Sequence, residues 1–284
     1  MTGFATERET MLTAILALAL LALCAGFGLA IAARLFAVEV DPRVEAIEDA
    51  LPGANCGACG LPGCAELAKR IAEGKAEVDA CPAGSEEVAH AIAEIMGSVF
   101  EGGAAKKVAL VLCGGDDRVA ANRFYYNGIY DCTSAVLLFG GDKACSYGCI
   151  GLGTCAGICP FGAIDMLPGG LAVVDPERCT GCTKCVGACP KGIIKMVPAG
   201  KRVHILCSSH DKGGRVRRVC KVGCIGCQRC VKEAPEGAIA MDDNLAVVSY
   251  EMDIPEEIAD SCPMKTIVIG TLPRIEAAVG TGSA

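Results

Sequence analysis

Tryptophan is absent from this 284-residue chain, aromatic residues make up only 4% of it, and histidine occurs three times. His90, His204 and His210 have no ligand spacing, which leaves them ordinary core or surface roles. No nucleophile stands paired with a base, so no independent catalytic site is expected. Positive charge is short as well. There are 26 basic residues against 33 acidic ones, a net charge of −7, which argues against nucleic acid as a partner. Gly151 and Gly153 lack the strand-to-helix setting of a dinucleotide loop. Charge is missing altogether between Met11 and Ala33.

Those 23 residues would run about 35 Å as a helix, enough to cross a hydrocarbon core of about 30 Å. They read as an uncleaved single-pass anchor, with the lipid bilayer as the partner of residues 11–33. A signal peptide is the rival reading. Against it, Glu7-Arg8-Glu9 is not a basic leader and the apolar stretch is long. Leu21-Ala22-Leu23-Cys24 has a lipoprotein-like outline, but Leu23 is too large before the cysteine, and Cys24 reads as inert. Arg34 and Arg43 follow the span and Arg8 precedes it, which leans toward a cytoplasmic C-terminal part. Reduced thiols and clusters belong in the same compartment.

What the chain has in excess is cysteine, 21 residues bunched at two- and three-residue intervals. That bunching favours metal over disulfides, and only one or two of the thiols are read as plain buried apolar groups. Cys179, Cys182, Cys185 and Cys189 form C-x2-C-x2-C-x3-C, followed by Pro190. In such a run three thiolates hold one [4Fe–4S] cube and the fourth serves a neighbouring cube. A structural zinc site usually splits its ligands into two separated pairs. The expected chemistry is carriage of single electrons. Folding should depend on cluster assembly, because the loops have little else to bury.

Ligand sets follow from spacing. Cys56, Cys59, Cys64 and Cys81 suit one self-contained cube. Gly53, Gly57, Gly60 and Gly63 let its loop curl close. By the crossover rule, Cys145, Cys149, Cys155 and Cys189 form a second set, and Cys179, Cys182, Cys185 and Cys159 a third. In the last block, Cys224, Cys227 and Cys230 form a triplet. The expected fourth cysteine is Ala234, however, and Glu251–Ile258 carries no partner triplet. Both losses match the removal of one cube from a two-cluster ferredoxin. Cys262 then completes a fourth set with Cys224, Cys227 and Cys230. Cys113, Cys132, Cys207 and Cys220 remain and are proposed as a fifth set, with free buried thiols as the alternative. Lys184, Lys191 and Lys195 stand near the clusters as solvated residues, tuning charges or a docking edge.

Cys159-Pro160-x3-Ile164, Cys189-Pro190-x3-Ile194 and Cys262-Pro263-x3-Ile267 are an internal repeat in which a ligand loop runs into a strand. Ala172–Val174 and Ala246–Val248 read as opposing strands, as do residues 106–112 and 202–206. Residues 41–51 read as a short polar helix or linker. Residues 64–73 read as a helix capped at Gly74, and a further helix begins after Ser85. The fold class is α+β: one N-terminal transmembrane helix, a small four-cysteine [4Fe–4S] module, then ferredoxin-like repeats. The expected division is an anchor at 1–36, the module at 37–100, a two-cluster domain at 101–206, a degenerate single-cluster domain at 207–272 and an unstructured tail at 273–284.

The segments P-G-A-N-C-G-A-C-G-L-P-G-C (52–64) and Cys81-Pro82, placed after an apolar span and before a ferredoxin part, resemble the B subunit of the Rnf complex. D-K-A-C-S-Y-G-C-I-G-L-G-T-C (142–155) and C-S-S-H-D-K-G (207–213) resemble its long, cysteine-rich form. The last ferredoxin pair departs from that form in lacking a triplet. The resemblance implies an iron–sulfur relay subunit of an ion-translocating ferredoxin:NAD oxidoreductase of the cytoplasmic membrane. Its partners would be soluble ferredoxin and membrane subunits with flavin and iron–sulfur centres. A polyferredoxin subunit of a hydrogenase or heterodisulfide reductase, a redox sensor and a zinc-stabilised interaction module are the other readings.

Overall fold

The first element of the computed structural model is α1, a 33-residue helix over Gly3–Leu35. The structure describes residues 3–35, 41–102 and 106–270, and the expected tail lies outside them. Within α1, Leu16–Arg34 has a mean hydropathy of 2.5 and is long and apolar enough to cross a membrane. Leu16, Leu21, Phe27 and Leu29 are all at least 61% exposed. The chain divides into two compact units, residues 1–42 and 43–284.

The second unit begins with α2 (Pro42–Ala50), α3 (Cys64–Ala72) and α4 (Glu86–Met96). Ile47, Leu67, Ile71 and Ile92 meet at their centre. Ser85 caps α4 by accepting the Val88 N–H, and Gly97 ends it in a left-handed conformation. Gly74 takes φ +68 just beyond α3, as the cap reading expects.

Next come β1 (Lys107–Val111), α5 (Cys132–Val136), α6 (Thr154–Gly157), β2 (Ile164–Leu167), β3 (Leu171–Val174), α7 (Lys184–Ala188) and β4 (Ile194–Pro198). The rest of the unit is β5 (Val203–Ile205), α8 (Gly213–Val219), α9 (Arg229–Glu233), β6 (Ile239–Asp242), β7 (Leu245–Val248), a 3-10 turn (Glu256–Ser261) and β8 (Ile267–Ile269). The architecture is α+β. Four antiparallel two-stranded sheets pair β1 with β4, β2 with β3, β5 with β8 and β6 with β7. One plan therefore occurs twice: an outer pair of first and last strands, and an inner hairpin. Ile164, Ile194 and Ile267, each separated from a Cys-Pro by three residues, each open a strand.

Val108, Ala163, Ile194 and Val197 are nearly solvent-free in the core of the first half. Full burial of one such Ile or Val side chain contributes about 1.5–3 kcal/mol. The second half has its own core around Val203, Ile205, Ile239, Leu245 and Ile258. Pairing Val203–Ile205 with Ile267–Ile269 puts β5 with this second half, although the sequence division at 206 places it with the first.

Candidate metal centres

Each cysteine triplet begins on a loop whose backbone only particular residues tolerate. Gly181 and Gly226 hold the same place, one residue before Cys182 and Cys227, at φ +79 and +65. A Cβ on Gly181 would lie 2.7 Å from the Lys107 carbonyl oxygen, and one on Gly226 would lie 2.8 Å from that of Asn244. Thr183 and Gln228 follow at φ 61 and 60 and start α7 and α9. The chain turns left-handed twice and delivers the third cysteine of each triplet, Cys185 or Cys230, on the first turn of a helix.

Four cavities in the second unit are each lined by four cysteines. Cys159, Cys179, Cys182 and Cys185 line one. Cys224, Cys227, Cys230 and Cys262 line another. In both, the structure brings together the four residues that spacing groups. The other two cavities group differently. Cys132, Cys149, Cys155 and Cys189 share one, and Cys113, Cys145, Cys207 and Cys220 share the other. Relative to the sequence grouping, Cys132 and Cys145 have exchanged places.

Local contacts explain the exchange. The Cys132 N–H donates to Thr154 Oγ1 at 2.7 Å, and the Thr154 hydroxyl donates to Asp131 at 2.7 Å. These bonds pin Cys132 against α6, which carries Cys155. Cys145 is drawn the other way. The Ala144 N–H donates to the Ala121 carbonyl and the Ala121 N–H to the Val219 carbonyl, beside Cys220. Cys113 and Cys207 are tied by the Gly114 N–H to the Leu206 carbonyl and by the Ser208 hydroxyl to the Leu112 carbonyl.

In the first module, Cys64 belongs to the core, with Cys59 and Cys81 packed against it. Burial pushes the Cys81 thiol up, and Cys56 and Cys64 add to the effect, so these thiols lie within electrostatic reach of one another.

Electrostatic links and one hydrogen bond connect the groups in turn. Burial raises Cys182, and Cys56 of the first module adds to it. Burial pushes Cys185 to about 12, with Cys155 of the next cavity among the thiols that add. The Cys149 N–H donates to Cys113 Sγ at 3.4 Å, which links that cavity to the one built on Cys113. Burial pushes Cys207 to about 12, and Cys224 of the last cavity adds to it. Neighbouring groups thus run 56/59/64/81, 159/179/182/185, 132/149/155/189, 113/145/207/220 and 224/227/230/262. Cys227 is the exposed thiol among these 20 residues, at the far end of the row.

The donor sets fit a soft, cationic metal core. Burial pushes Cys149 to about 12 and Cys155 and Cys230 to about 11. Several thiolates in one apolar space are unfavourable until a cation compensates them. Among the described residues, no carboxylate or imidazole lines any of the four cavities, as thiophilic metal requires. Backbone N–H groups of Ala109, Ala163 and Thr266 donate to Cys179, Cys159 and Cys262 at 3.3–3.4 Å, the bonds that tune cluster potentials. Val231, Ala234, Ile254 and Ala259 pack onto the second core.

Charged residues that spacing does not single out also appear. Lys143 is 2% exposed and lines the cavity of Cys113, Cys145, Cys207 and Cys220. Its ammonium donates to Asp117. Lys191 donates to the Gly140 and Ser146 carbonyls at 2.6 and 2.7 Å on the wall of the Cys132 cavity. His204 and His210 line none of the four cavities. His204 is buried, with Nδ1 3.0 Å from the Tyr250 hydroxyl.

Comparison with known proteins places these features. A family model for an Fe-S cluster matches residues 51–83, and one for a 4Fe-4S dicluster domain matches residues 144–193. The chain is 48% identical over 243 residues to the B subunit of the Na(+)-translocating ferredoxin:NAD(+) oxidoreductase complex of Acetobacterium woodii, covering 85% of this chain and 73% of that one. It is 42% identical over 270 residues to the B subunit of the proton-translocating ferredoxin:NAD(+) oxidoreductase complex of Clostridium ljungdahlii, with 93% and 95% covered. The B subunit of an ion-translocating oxidoreductase complex from Methanosarcina acetivorans is 41% identical, with 86% and 92% covered.

Proposed function

The chain belongs to the B-subunit family of ion-translocating ferredoxin:NAD(+) oxidoreductase complexes, and from that premise we propose that it relays single electrons between ferredoxin and the complex's other subunits through five [4Fe–4S] clusters in one row. It is an iron–sulfur electron-relay subunit. The clusters, when bound, supply reversible one-electron storage. The protein's own residues space them, exclude water and hydrogen-bond the ligand sulfurs.

The observation that carries this reading is the gathering of cysteines in fours around four cavities, two of them linked by the Cys149 N–H donated to Cys113 Sγ. Ligand sets are read from the cavities, except the first, which rests on its spacing and on the packing of Cys59, Cys64 and Cys81 in one core. Cys56, Cys59, Cys64 and Cys81 form the first site and Cys159, Cys179, Cys182 and Cys185 the next. Cys132, Cys149, Cys155 and Cys189 follow, then Cys113, Cys145, Cys207 and Cys220. Cys224, Cys227, Cys230 and Cys262 close the row. Strand pairing supports a domain division near residue 200 rather than 206.

The helix α1 supports anchorage in the cytoplasmic membrane by a single pass, with the cluster domains on the cytoplasmic side. Tyr125, Ile129, Tyr130, Leu137 and Phe139 are 73–91% exposed and flank Cys132, which supports docking of another subunit there. Translocation of an ion belongs to other subunits, because the one candidate span among the described residues offers no ion path.

Anaerobic mixing with reduced ferredoxin tests the relay. The chain's broad visible absorbance should bleach, and the bleaching should be lost on chelation of iron. A colourless chain, or one that ferredoxin cannot reduce, contradicts the reading.

A further inference from the structure

Lys143 heads the fully buried side chains of the described residues by size. A buried ammonium needs compensation for its lost hydration. Asp117 supplies part of it, but that carboxylate is 52% exposed, so water screens it while the ammonium stays dry. The other face of Lys143 meets the cavity of Cys113, Cys145, Cys207 and Cys220. The position is fixed by backbone bonds on both sides. Residue 143 bridges to Asn122, and the Ala144 N–H donates to the Ala121 carbonyl. The cationic residues of the other three cavities are wetter. Lys191 and Lys184 are part-exposed and Arg229 is exposed.

Resting on the cluster reading above, we propose that Lys143 is a positioning charge that raises the reduction potential of the cluster held by Cys113, Cys145, Cys207 and Cys220. Reduction adds one negative charge to a cluster. A dry cation at the wall favours that reduced state more than a solvated one does. This cluster sits fourth in the row, between the two ferredoxin-like halves. Lys143 thereby makes the junction a resting place for the electron.

The test is a potentiometric EPR titration of the full chain, with this cluster's signal identified as the one missing in Cys207→Ala. Lys143→Met should cut the reduced-to-oxidised ratio at a fixed poise about tenfold, a downward shift of about 59 mV for a one-electron couple. Lys143→Arg should stay near the parent value. Asp117→Asn, which removes the opposing charge and leaves the lysine, should shift the potential upward. An unchanged potential in Lys143→Met with iron content intact overturns the proposal. If Lys143→Met loses the cluster, Asp117→Asn decides: an upward shift supports the fixed charge and no shift overturns it. Retention of every signal in Cys207→Ala would instead refute the ligand set itself.

Discussion

The two ferredoxin-like halves share one plan and differ in content. Each pairs its first strand with its last and folds an inner hairpin, and each sends a left-handed turn into a short helix that carries a buried cysteine. The first half builds two cavities from its own cysteines and shares a third with the second half. The second builds one cavity from its own cysteines, and Ala234, Ile254 and Ala259 pack onto its core. On the proposed ligand sets, this topology does not require the second cluster. Apolar side chains can replace it, while the strands and the remaining ligands persist.

The largest expected contrast is between Cys185 and Cys227. Cys185 is buried in the first core, whereas Cys227 is exposed. Either change to Ala should lower iron by about four atoms per chain. Only Cys185→Ala should also open the first half to protease, and equal resistance in both variants would contradict that difference. Next is Cys262→Ala, which should abolish one cubane EPR signal and leave the rest. Loss of two signals would mean that the second half still shares a cluster. Gly181→Ala and Gly226→Ala should each cost about 1–3 kcal/mol through strain at positive φ, read as similar drops in urea midpoint. Strongly unequal drops would break the equivalence of the two loops. The smallest effect belongs to Ala234→Cys, which should add no iron, because no partner triplet exists. A gain of about four irons would show that the lost site can be rebuilt.

Much of this was legible in the chain. The Cys-Pro-x3-Ile repeat gave the strand starts, the Ser85 and Gly74 caps were local signals, and the absence of charge marked the apolar helix. The shared cavities of Cys159 and Cys262 with their triplets were legible because crossover spacing is a local geometric rule. The partners of Cys132 and Cys145 were not. Both sit in loops of irregular spacing, and their placement depends on Asp131 with Thr154 and on Ala144 with Ala121. These contacts bridge 23 residues in each case. Lys143 was equally hidden, since burial of a lysine leaves no mark in sequence. The strand β5 was recognised, but its partner β8 is 64 residues away along the chain, so the boundary expected at 206 separates the two strands of that pair.

The exchange of Cys132 and Cys145 is open to one direct measurement, iron per chain in two double variants prepared anaerobically beside the parent. The parent should carry about 20 irons, four for each of five cubes. Cys132→Ala with Cys189→Ala should strike one site and leave about 16, whereas Cys145→Ala with Cys189→Ala should strike two and leave about 12. The reverse pattern would return Cys145 to the Cys189 site and contradict the row of clusters described above.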